Sequence, residues 1–311
     1  MNDHVYPSAD NAFSNVLFNI MHAPVVPSRV GDTRELVGVQ VEIDSRHPFV
    51  TNQVRKFSPE YGAGEFMWYM SGAGIVEPIA HYAPSYRQFA RPDGTAFGAY
   101  GARWSEFQQF TKLLNVLHST PDSRQAVLVQ WMPRDLDAAS GAAHPEKDLP
   151  CTLTLQFLRR EDKLHLIVTM RSNDAWLGMP NDWFCFMMLQ HLVAGFIGCE
   201  VGRYIHQAGS LHLYEKDWDK ARAAASQWGF EYPMVRFDPM LVSPRRAEEA
   251  ISEAVIHEYG IREHNVQTPC YYQKVGPVFR MMLALCAMQN GGTVLSDAVP
   301  DVLQQLVLNR R

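Results

Sequence analysis

Three reactive side chains lie in surroundings that are unusual for their types. Cys151 follows Pro150 and opens a run of alternating apolar and polar residues. Glu65 is an acid within the apolar and aromatic run 64–70, and Asp182 directly precedes another apolar run. A thiolate is a nucleophile, and a desolvated carboxyl group is an acid or base of altered strength. Together these residue types predict covalent catalysis by a cysteine, assisted by carboxyl groups.

Each of these residues also has an ordinary structural explanation. A lone cysteine is frequently a small hydrophobic residue of the core. Glu65 could point to solvent, and Asp182 could cap the helix that follows it. A reactive thiol needs an electropositive, partly exposed setting, which three arginines could supply: Arg29, Arg124 and Arg171. The residues alone leave both interpretations open.

The composition argues against several classes of protein. The chain has 311 residues, of which 47% are hydrophobic and 20% charged, a profile typical of globular proteins. Its net charge of -5 argues against broad nucleic-acid binding, although a few arginines in one pocket would still hold a phosphate. The five cysteines form no C-x-x-C pair, and the histidines show no metal-ligand spacing. Neither a disulfide framework nor a metal site is predicted.

The chain is expected to be cytoplasmic. Its cysteine usage favours a reducing compartment, and residues 1–10 lack the basic and apolar pattern of a signal peptide. The apolar run 183–198 is shorter than the ~20 residues that cross a bilayer. We therefore predict a buried core helix there, and neither a membrane nor a nucleic acid as partner.

Hydrophobic periodicity predicts one mixed α+β domain over residues 1–311. Strands are expected over 35–43, 126–131, 151–158 and 164–170, the last two joined as a hairpin across the polar turn 159–163. Helices are expected over 12–21, 105–117, 183–198, 215–227, 246–259 and 276–289. The stretch 135–148 is rich in Ala, Gly and Asp, which predicts an exposed loop.

Seven segments, taken in order, resemble the thymidylate synthase family. Pro150-Cys151, the run R-S-N-D-A-W-L-G-M-P-N-D at 171–182 and G-S-L-H-L-Y at 209–214 are similar to its P-C-H, R-S-x-D-x-x-L-G-x-P-F-N and G-D-x-H-x-Y. Upstream, R-V-G-D-T at 29–33, G-E-F-M-W at 64–68, A-Y-G-A-R-W at 99–104 and P-D-S-R at 121–124 also resemble family segments. The resemblance is strongest over 28–220 and implies that family's mixed sheet packed with helices.

The resemblance implies catalytic roles and a co-substrate, 5,10-methylenetetrahydrofolate. Cys151 would add to C6 of the base of a pyrimidine nucleoside monophosphate. Glu65 would manage water and proton transfers, and Tyr100 would help proton movement near the thiolate. Asp182 would read the base.

The resemblance also implies binding residues and a homodimer. The nucleotide phosphate would be held by Arg29, Arg171, Ser172 and, from the second subunit, Arg124. His212 and Tyr214 would bond the sugar hydroxyl. The resemblance also implies that Asp174, Tyr86 and Gly178 bind the folate.

The departures from the family pattern carry information on specificity. Asp182 stands where the family has its base-reading Asn, and Thr152 where it has a His after the nucleophile. Asn181 and Tyr86 replace a Phe and a Trp, and Gln125 replaces a second Arg. The C-terminus does not match the family's closing tail.

An Asp at the base-reading position is similar to the family's cytidylate branch. That branch includes deoxycytidylate hydroxymethylase of phage and the CMP hydroxymethylase of mildiomycin-type nucleoside-antibiotic biosynthesis. The resemblance therefore implies 5-hydroxymethylation of CMP or dCMP. Two alternatives stay open: methylation of dUMP, and a non-catalytic family member that binds nucleotides.

Overall fold

A six-stranded mixed sheet forms the centre of the protein. A computed structural model describes residues 5–28, 31–140, 146, 148–227, 229–238, 240–266, 275–292 and 298–310. The strands are β1 (Val25–Ser28), β2 (Gly31–Asp44), β3 (Val127–Val129), β4 (Thr152–Arg160), β5 (Lys163–Asp174) and β6 (Glu200–Tyr214). Their order is β1-β2-β6-β5-β4-β3. Only the β5–β6 pair is parallel among these neighbours, so the sheet is mixed, as predicted.

The predicted hairpin of β4 and β5 is confirmed. Arg160 pairs with Lys163, which leaves Glu161 and Asp162 as a two-residue turn. Both turn residues have positive φ, 49° and 61°, the combination that matches the right-handed twist of paired strands. The hairpin places Cys151, just before β4, next to Arg171 near the end of β5, and the amide of Arg171 donates to the carbonyl of Cys151 at 2.8 Å.

Helices cover the sheet and supply most of the core. Their bounds are α1 (Ala9–Met21), α2 (Pro59–Ser71), α3 (Glu77–Tyr82), α4 (Tyr100–Ser105), α5 (Gln109–Ser119), α6 (Pro133–Ala139), α7 (Gly178–Ile197), α8 (Trp218–Ala225), α9 (Pro244–His264), α10 (Pro277–Gln289) and α11 (Asp301–Leu308). Helix α7 is buried over almost its whole length, which confirms the predicted core helix. The α+β class is confirmed; the extent of one domain over 1–311 stays a prediction.

The start of the stretch 135–148 is helical and does not form part of the exposed loop that its composition predicts. Its first residues belong to α6, and Asp135 is fully buried. The reason is a salt bridge with Arg103 of α4, in which both carboxylate oxygens accept from the guanidinium at 2.7 Å. Arg103 also donates to the carbonyls of Gln130 and Phe97, at 2.8 and 2.9 Å. A buried pair bonded this fully is costly to break from one side.

We expect Asp135→Asn to lower the free energy of unfolding by about 3–5 kcal/mol, because it leaves the buried charge of Arg103 without its counter-ion. Urea denaturation monitored by circular dichroism measures this change. The matched control is Glu106→Gln, which breaks the half-exposed pair of Glu106 with Arg134 and should cost no more than ~1 kcal/mol. Equal losses in the two variants would contradict the structural role of the buried pair.

Candidate active site

The thiol of Cys151 lies beside a guanidinium that its own hairpin holds in place. The Nη2 atom of Arg171 is 3.9 Å from the Sγ of Cys151. Arg171 also donates to the carbonyls of Pro150 and Leu149, at 3.0 and 3.2 Å, and its guanidinium lies over the ring of Trp131 at 5.4 Å. These contacts fix a positive charge next to the predicted nucleophile.

One cation does not suffice to ionise the thiol in the free protein. Burial raises the pKa of Cys151, and the charge of Arg171 opposes that rise. The carboxyl groups of Asp182, Asp148 and Asp174 raise the pKa further. The thiol is therefore protonated at neutral pH, and further positive charge would be needed to form the nucleophilic thiolate.

Thr152, at the position of the family's histidine, positions Tyr100. Its hydroxyl donates to the Tyr100 oxygen at 2.9 Å, and its amide approaches the same oxygen at 3.3 Å. The Tyr100 ring is stacked against Tyr69 and Phe186. Burial raises the pKa of Tyr100 well above its ordinary value, as do the charges of Asp182 and Cys151. Because Thr152 occupies the oxygen as a donor, the phenol proton of Tyr100 is available to another acceptor in the site.

Glu65 does not point to solvent. It lies on α2 with only 5% of its surface exposed, and its Oε1 accepts from the Tyr86 hydroxyl at 2.6 Å. The thiol of Cys185 lies 3.9 Å from Oε2. Burial raises the pKa of Glu65, while bonds from Tyr86 and other hydroxyls oppose the rise. A carboxyl group with a raised pKa holds its proton more readily and is a stronger base when ionised, which suits proton transfer.

Tyr86, predicted on the folate side, lies in a short 3-10 helix, Pro84–Phe89, and its hydroxyl is bound to Glu65. A second phenol follows, because the Tyr61 hydroxyl is 3.5 Å from that of Tyr86. The two hydroxyls make a polar line that leads to Glu65. A contact of Tyr86 with folate stays a prediction.

Asp182 is a partly buried acid within α7 and not its cap. The helix begins at Gly178, which makes Asp182 its fifth residue. Its Oδ2 accepts from the Asn173 amide at 2.7 Å. Burial raises the pKa of Asp182 well above its ordinary value, the charges of Glu65 and Asp174 raise it further, and the Asn173 bond opposes the rise. Burial and the neighbouring carboxyl groups therefore favour the protonated form of Asp182.

The other predicted binding residues line the neighbouring strand ends. His212 and Tyr214 lie on β6 with their ring centroids 5.1 Å apart, and Asp174 on β5 is paired with His212. Ser172 is paired with Ser210. Arg29 lies outside the described residues.

The surface beside Asp174 suits a flat heterocycle with donor groups. Oδ1 of Asp174 accepts from the amides of Trp176 and Leu177, at 2.8 and 3.0 Å. These bonds fix the carboxylate through Oδ1, and Oδ2 takes no part in them. The Leu177 side chain next to it is 48% exposed. An exposed apolar side chain beside a fixed acceptor fits the pterin that the family resemblance implies. Gly178, also predicted on the folate side, lies beside the hydrogen bond between Asn173 and Asp182. A Cβ at this position would lie 3.4 Å from both Asn173 Nδ2 and Asp182 Oδ2.

Arg124 is not brought to the cysteine of its own chain. It is exposed before β3, and its carbonyl accepts from Gln156 at 2.9 Å. Gln156 is five residues beyond Cys151 along β4, roughly 16 Å at the rise of a strand. Because β3 runs antiparallel to β4, Arg124 precedes the paired region and lies towards the far end of β4.

Sequence reasoning missed the groups that hold Asp182. Asn173 falls at the variable position of the R-S-x-D run, and the periodicity analysis predicts no strand at β6. The alternation of Tyr204, His206 and Ala208, all buried, was the available signal, since it puts a histidine on the core face of a strand.

The described residues offer neither a metal-binding cluster nor a membrane-spanning helix. Within them, no group of three or more His, Cys, Asp and Glu side chains could hold a metal ion. None of the helices in that same part of the chain is long and apolar enough to cross a membrane.

Known proteins resemble this chain over most of its length. The sequence model described as "Thymidylate synthase" matches residues 12–267. Thymidylate synthase of Bacillus phage phi3T is 30% identical over 183 residues, 56% of this chain and 63% of the phage protein. Thymidylate synthase 1 of Bacillus spizizenii is 26% identical over 240 residues, 74% of this chain and 84% of the relative.

A third relative, thymidylate synthase of Bacillus subtilis subsp. natto, is 33% identical over 161 residues, 49% of this chain and 55% of its own. The match therefore spans less than two thirds of the phage and natto proteins. The family match at residues 12–267 nevertheless covers well over half of this chain. The chain belongs to the thymidylate synthase family.

Proposed function

We propose that this protein transfers a one-carbon unit from 5,10-methylenetetrahydrofolate to C5 of cytidine monophosphate, CMP or dCMP, and releases a 5-hydroxymethyl product. This places it in the cytidylate branch of the family, with a role in nucleoside-antibiotic biosynthesis. The observation that carries the proposal is Asp182, a partly buried acid whose pKa is raised well above its ordinary value and whose Oδ2 accepts from Asn173, at the position where the family pattern has Asn.

A neutral carboxyl group is complementary to cytosine. Its O–H can donate to N3 of the base, and its carbonyl oxygen can accept from the 4-amino group. A proton shared with N3 draws electrons from the ring and favours attack on C6. Uracil presents the reverse pattern, a donor at N3 and an acceptor at O4, and is mispaired when the carboxyl proton stays on the oxygen that faces N3.

The chain's other groups supply the remaining steps. Methylenetetrahydrofolate brings an electrophilic carbon. The Cys151 thiolate adds to C6, which makes C5 nucleophilic, and C5 takes up that carbon. The C5 proton is lost and the bond between the new carbon and the folate nitrogen breaks, so that tetrahydrofolate leaves with a proton on that nitrogen. Water adds its hydroxyl to the exocyclic methylene that remains, and Cys151 leaves C6 to restore the ring. No hydride is consumed, so tetrahydrofolate is the second product.

Addition of water, and not hydride, is supported by the polar surroundings of Glu65. The hydroxyls of Tyr86 and Tyr61 approach it where the family pattern has a Trp in place of Tyr86. Asn181, in place of a Phe, donates to the carbonyl of Leu177 at 2.8 Å. Hydride transfer needs a dry site, whereas these groups can hold and polarise a water.

The proposal is tested by incubating the protein with methylenetetrahydrofolate and, in turn, CMP, dCMP, UMP and dUMP. We expect the mass of a hydroxymethyl adduct with a cytosine nucleotide, and no dihydrofolate absorbance. Cys151→Ala should bind nucleotide but form no product, because the covalent path is lost.

Two other outcomes of this experiment would overturn the proposal. Methylation of dUMP with equal formation of dihydrofolate would indicate a thymidylate synthase. Nucleotide binding without turnover of any of the four would indicate a non-catalytic member.

Asp182→Asn should shift the ratio of kcat/KM for cytosine and uracil nucleotides towards uracil by about one to two decades, the cost of mispairing a buried polar group. Steady-state kinetics with both bases measures the ratio. Asp148→Asn is the matched control, because Asp148 also raises the pKa of Cys151 but accepts from Gly98. It should change both rates alike. A ratio that Asp182→Asn leaves untouched speaks against base reading by this residue.

We also propose a homodimer in which Arg124 reaches the phosphate site of the other subunit. Its position far along β4 from its own Cys151 supports this arrangement. A groove of about 660 Å³ on the sheet is lined by Leu158, Ile167 and Ile205 together with charged side chains that include Arg160, Lys163 and Glu200, a surface that a second sheet could cover. Twofold dimers are the commonest oligomers.

Mixing Cys151→Ala with Arg124→Ala should restore activity that neither variant has alone. A heterodimer then contains one site with both an intact cysteine and an intact partner arginine. Random exchange of subunits should recover about a quarter of the wild-type rate. Sedimentation of each variant provides the control for assembly. A mixture as inactive as its components would place Arg124 outside the shared site.

A further inference from the structure

A chain of three hydrogen bonds leads from the core to Asp182. The Tyr204 hydroxyl is 2.9 Å from His206 Nδ1, and His206 Nε2 is 3.0 Å from Asn173 Oδ1. The Asn173 amide then donates to Asp182 Oδ2 at 2.7 Å. Tyr204, His206 and Asn173 are all nearly inaccessible, with 0%, 1% and 3% of their surfaces exposed. Bulk water therefore cannot substitute for any link.

The donors in this hydrogen-bond chain must all point the same way because His206 is neutral. Burial lowers the pKa of His206 to about 3, and a neutral imidazole donates from one nitrogen and accepts at the other. In one direction, Tyr204 donates to Nδ1, Nε2 donates to Asn173, and Asn173 donates to Asp182. In the opposite direction, Asp182 would donate from Oδ2 and every bond would reverse.

The Tyr204 hydroxyl decides between the two directions. Within the described ranges its one hydrogen-bond partner is His206 Nδ1. The reversed chain would leave that buried O–H without an acceptor, which is costly. In the favoured direction Oδ2 of Asp182 accepts from Asn173, so a proton bound by this carboxyl group resides on Oδ1.

We propose that Tyr204, His206 and Asn173 are positioning residues whose hydrogen bonds fix the proton of Asp182 on Oδ1 and thereby set which pyrimidine the site accepts. The inference rests on the proposed function in taking Asp182 as the base-reading residue. A carboxyl group with a mobile proton would fit either base, since it could exchange its donor and acceptor oxygens. With Oδ1–H facing N3 and Oδ2 facing the 4-amino group, only cytosine is complementary.

The packing around the chain maintains this geometry. The ring of Trp183 meets that of His206 edge-on at 6.0 Å, which limits rotation of the imidazole. Gly178 leaves room at the Asn173–Asp182 bond, because a Cβ there would crowd both atoms at 3.4 Å. The carbonyl oxygen Oδ2 has two lone pairs and can accept from Asn173 and the base together.

Tyr204→Phe is the sharpest test, since it removes one hydroxyl three hydrogen bonds from the base. We expect the ratio of kcat/KM for cytosine and uracil nucleotides to fall about tenfold, with the disfavoured base gaining while the favoured one loses. A merely structural defect would lower both rates. Asn173→Ala should lower the ratio in the same way.

Tyr232→Phe is the matched control. The Tyr232 hydroxyl exchanges hydrogen bonds with the backbone of Phe49 and makes no hydrogen bond to Tyr204, His206 or Asn173. It should leave the ratio unchanged. An unchanged ratio in both Tyr204→Phe and Asn173→Ala would overturn the proposal.

Nitrogen-15 NMR of labelled histidine gives a readout that needs no activity. We expect His206 to carry its proton on Nε2 in the wild type and to lose this preference in Tyr204→Phe. A wild-type His206 protonated on Nδ1 would refute the proposed direction. If the wild type prefers uracil nucleotides, the proposed function fails. Loss of that preference in Tyr204→Phe would still support control of base choice by the hydrogen-bond chain.

Discussion

Burial without a counter-ion is the constraint on which the site depends. Glu65 and Asp182 are both desolvated, and among the described residues neither forms a salt bridge. Burial and mutual repulsion raise the pKa of Asp182, and burial raises that of Glu65. Asp135 shows the contrast, because the same interior keeps it paired with Arg103. Carboxyl groups thus have two roles here: Asp135 forms an ion pair in the core, whereas Glu65 and Asp182 are suited to proton transfer in the site.

Burial consequently favours the protonated forms of the reactive groups in the free site. The pKa values of Cys151 and Tyr100 are raised along with those of the two acids, and Nη2 of Arg171 lies 3.9 Å from the thiol. A phosphate held by arginines and a base that shares the proton of Asp182 would change this balance, so ionisation of the thiol would be coupled to occupancy.

Much of the fold could be predicted from local pattern, and the failures have physical causes. Alternation predicted the β4–β5 hairpin, and continuous apolarity predicted α7. The cap interpretation of Asp182 failed because Pro180 lies in the first turn of α7, where a missing amide costs nothing. The buried pair of Asp135 joins residues far apart in sequence, which composition does not reveal. For Glu65, a costly environment was visible in the sequence, but its bonding partners were not.

The β4–β5 hairpin brings the nucleophile and its cation together through a two-residue turn. Cys151 and Arg171 therefore form a local unit, whereas the groups proposed to act on the base come from β5, β6 and α7. Local pairs need little loop closure and assemble early in folding. This separation has an evolutionary consequence. Substitutions in β6 or α7 can alter the accepted base while the bond-forming unit is inherited intact, so one scaffold can diversify its substrates without losing its chemistry.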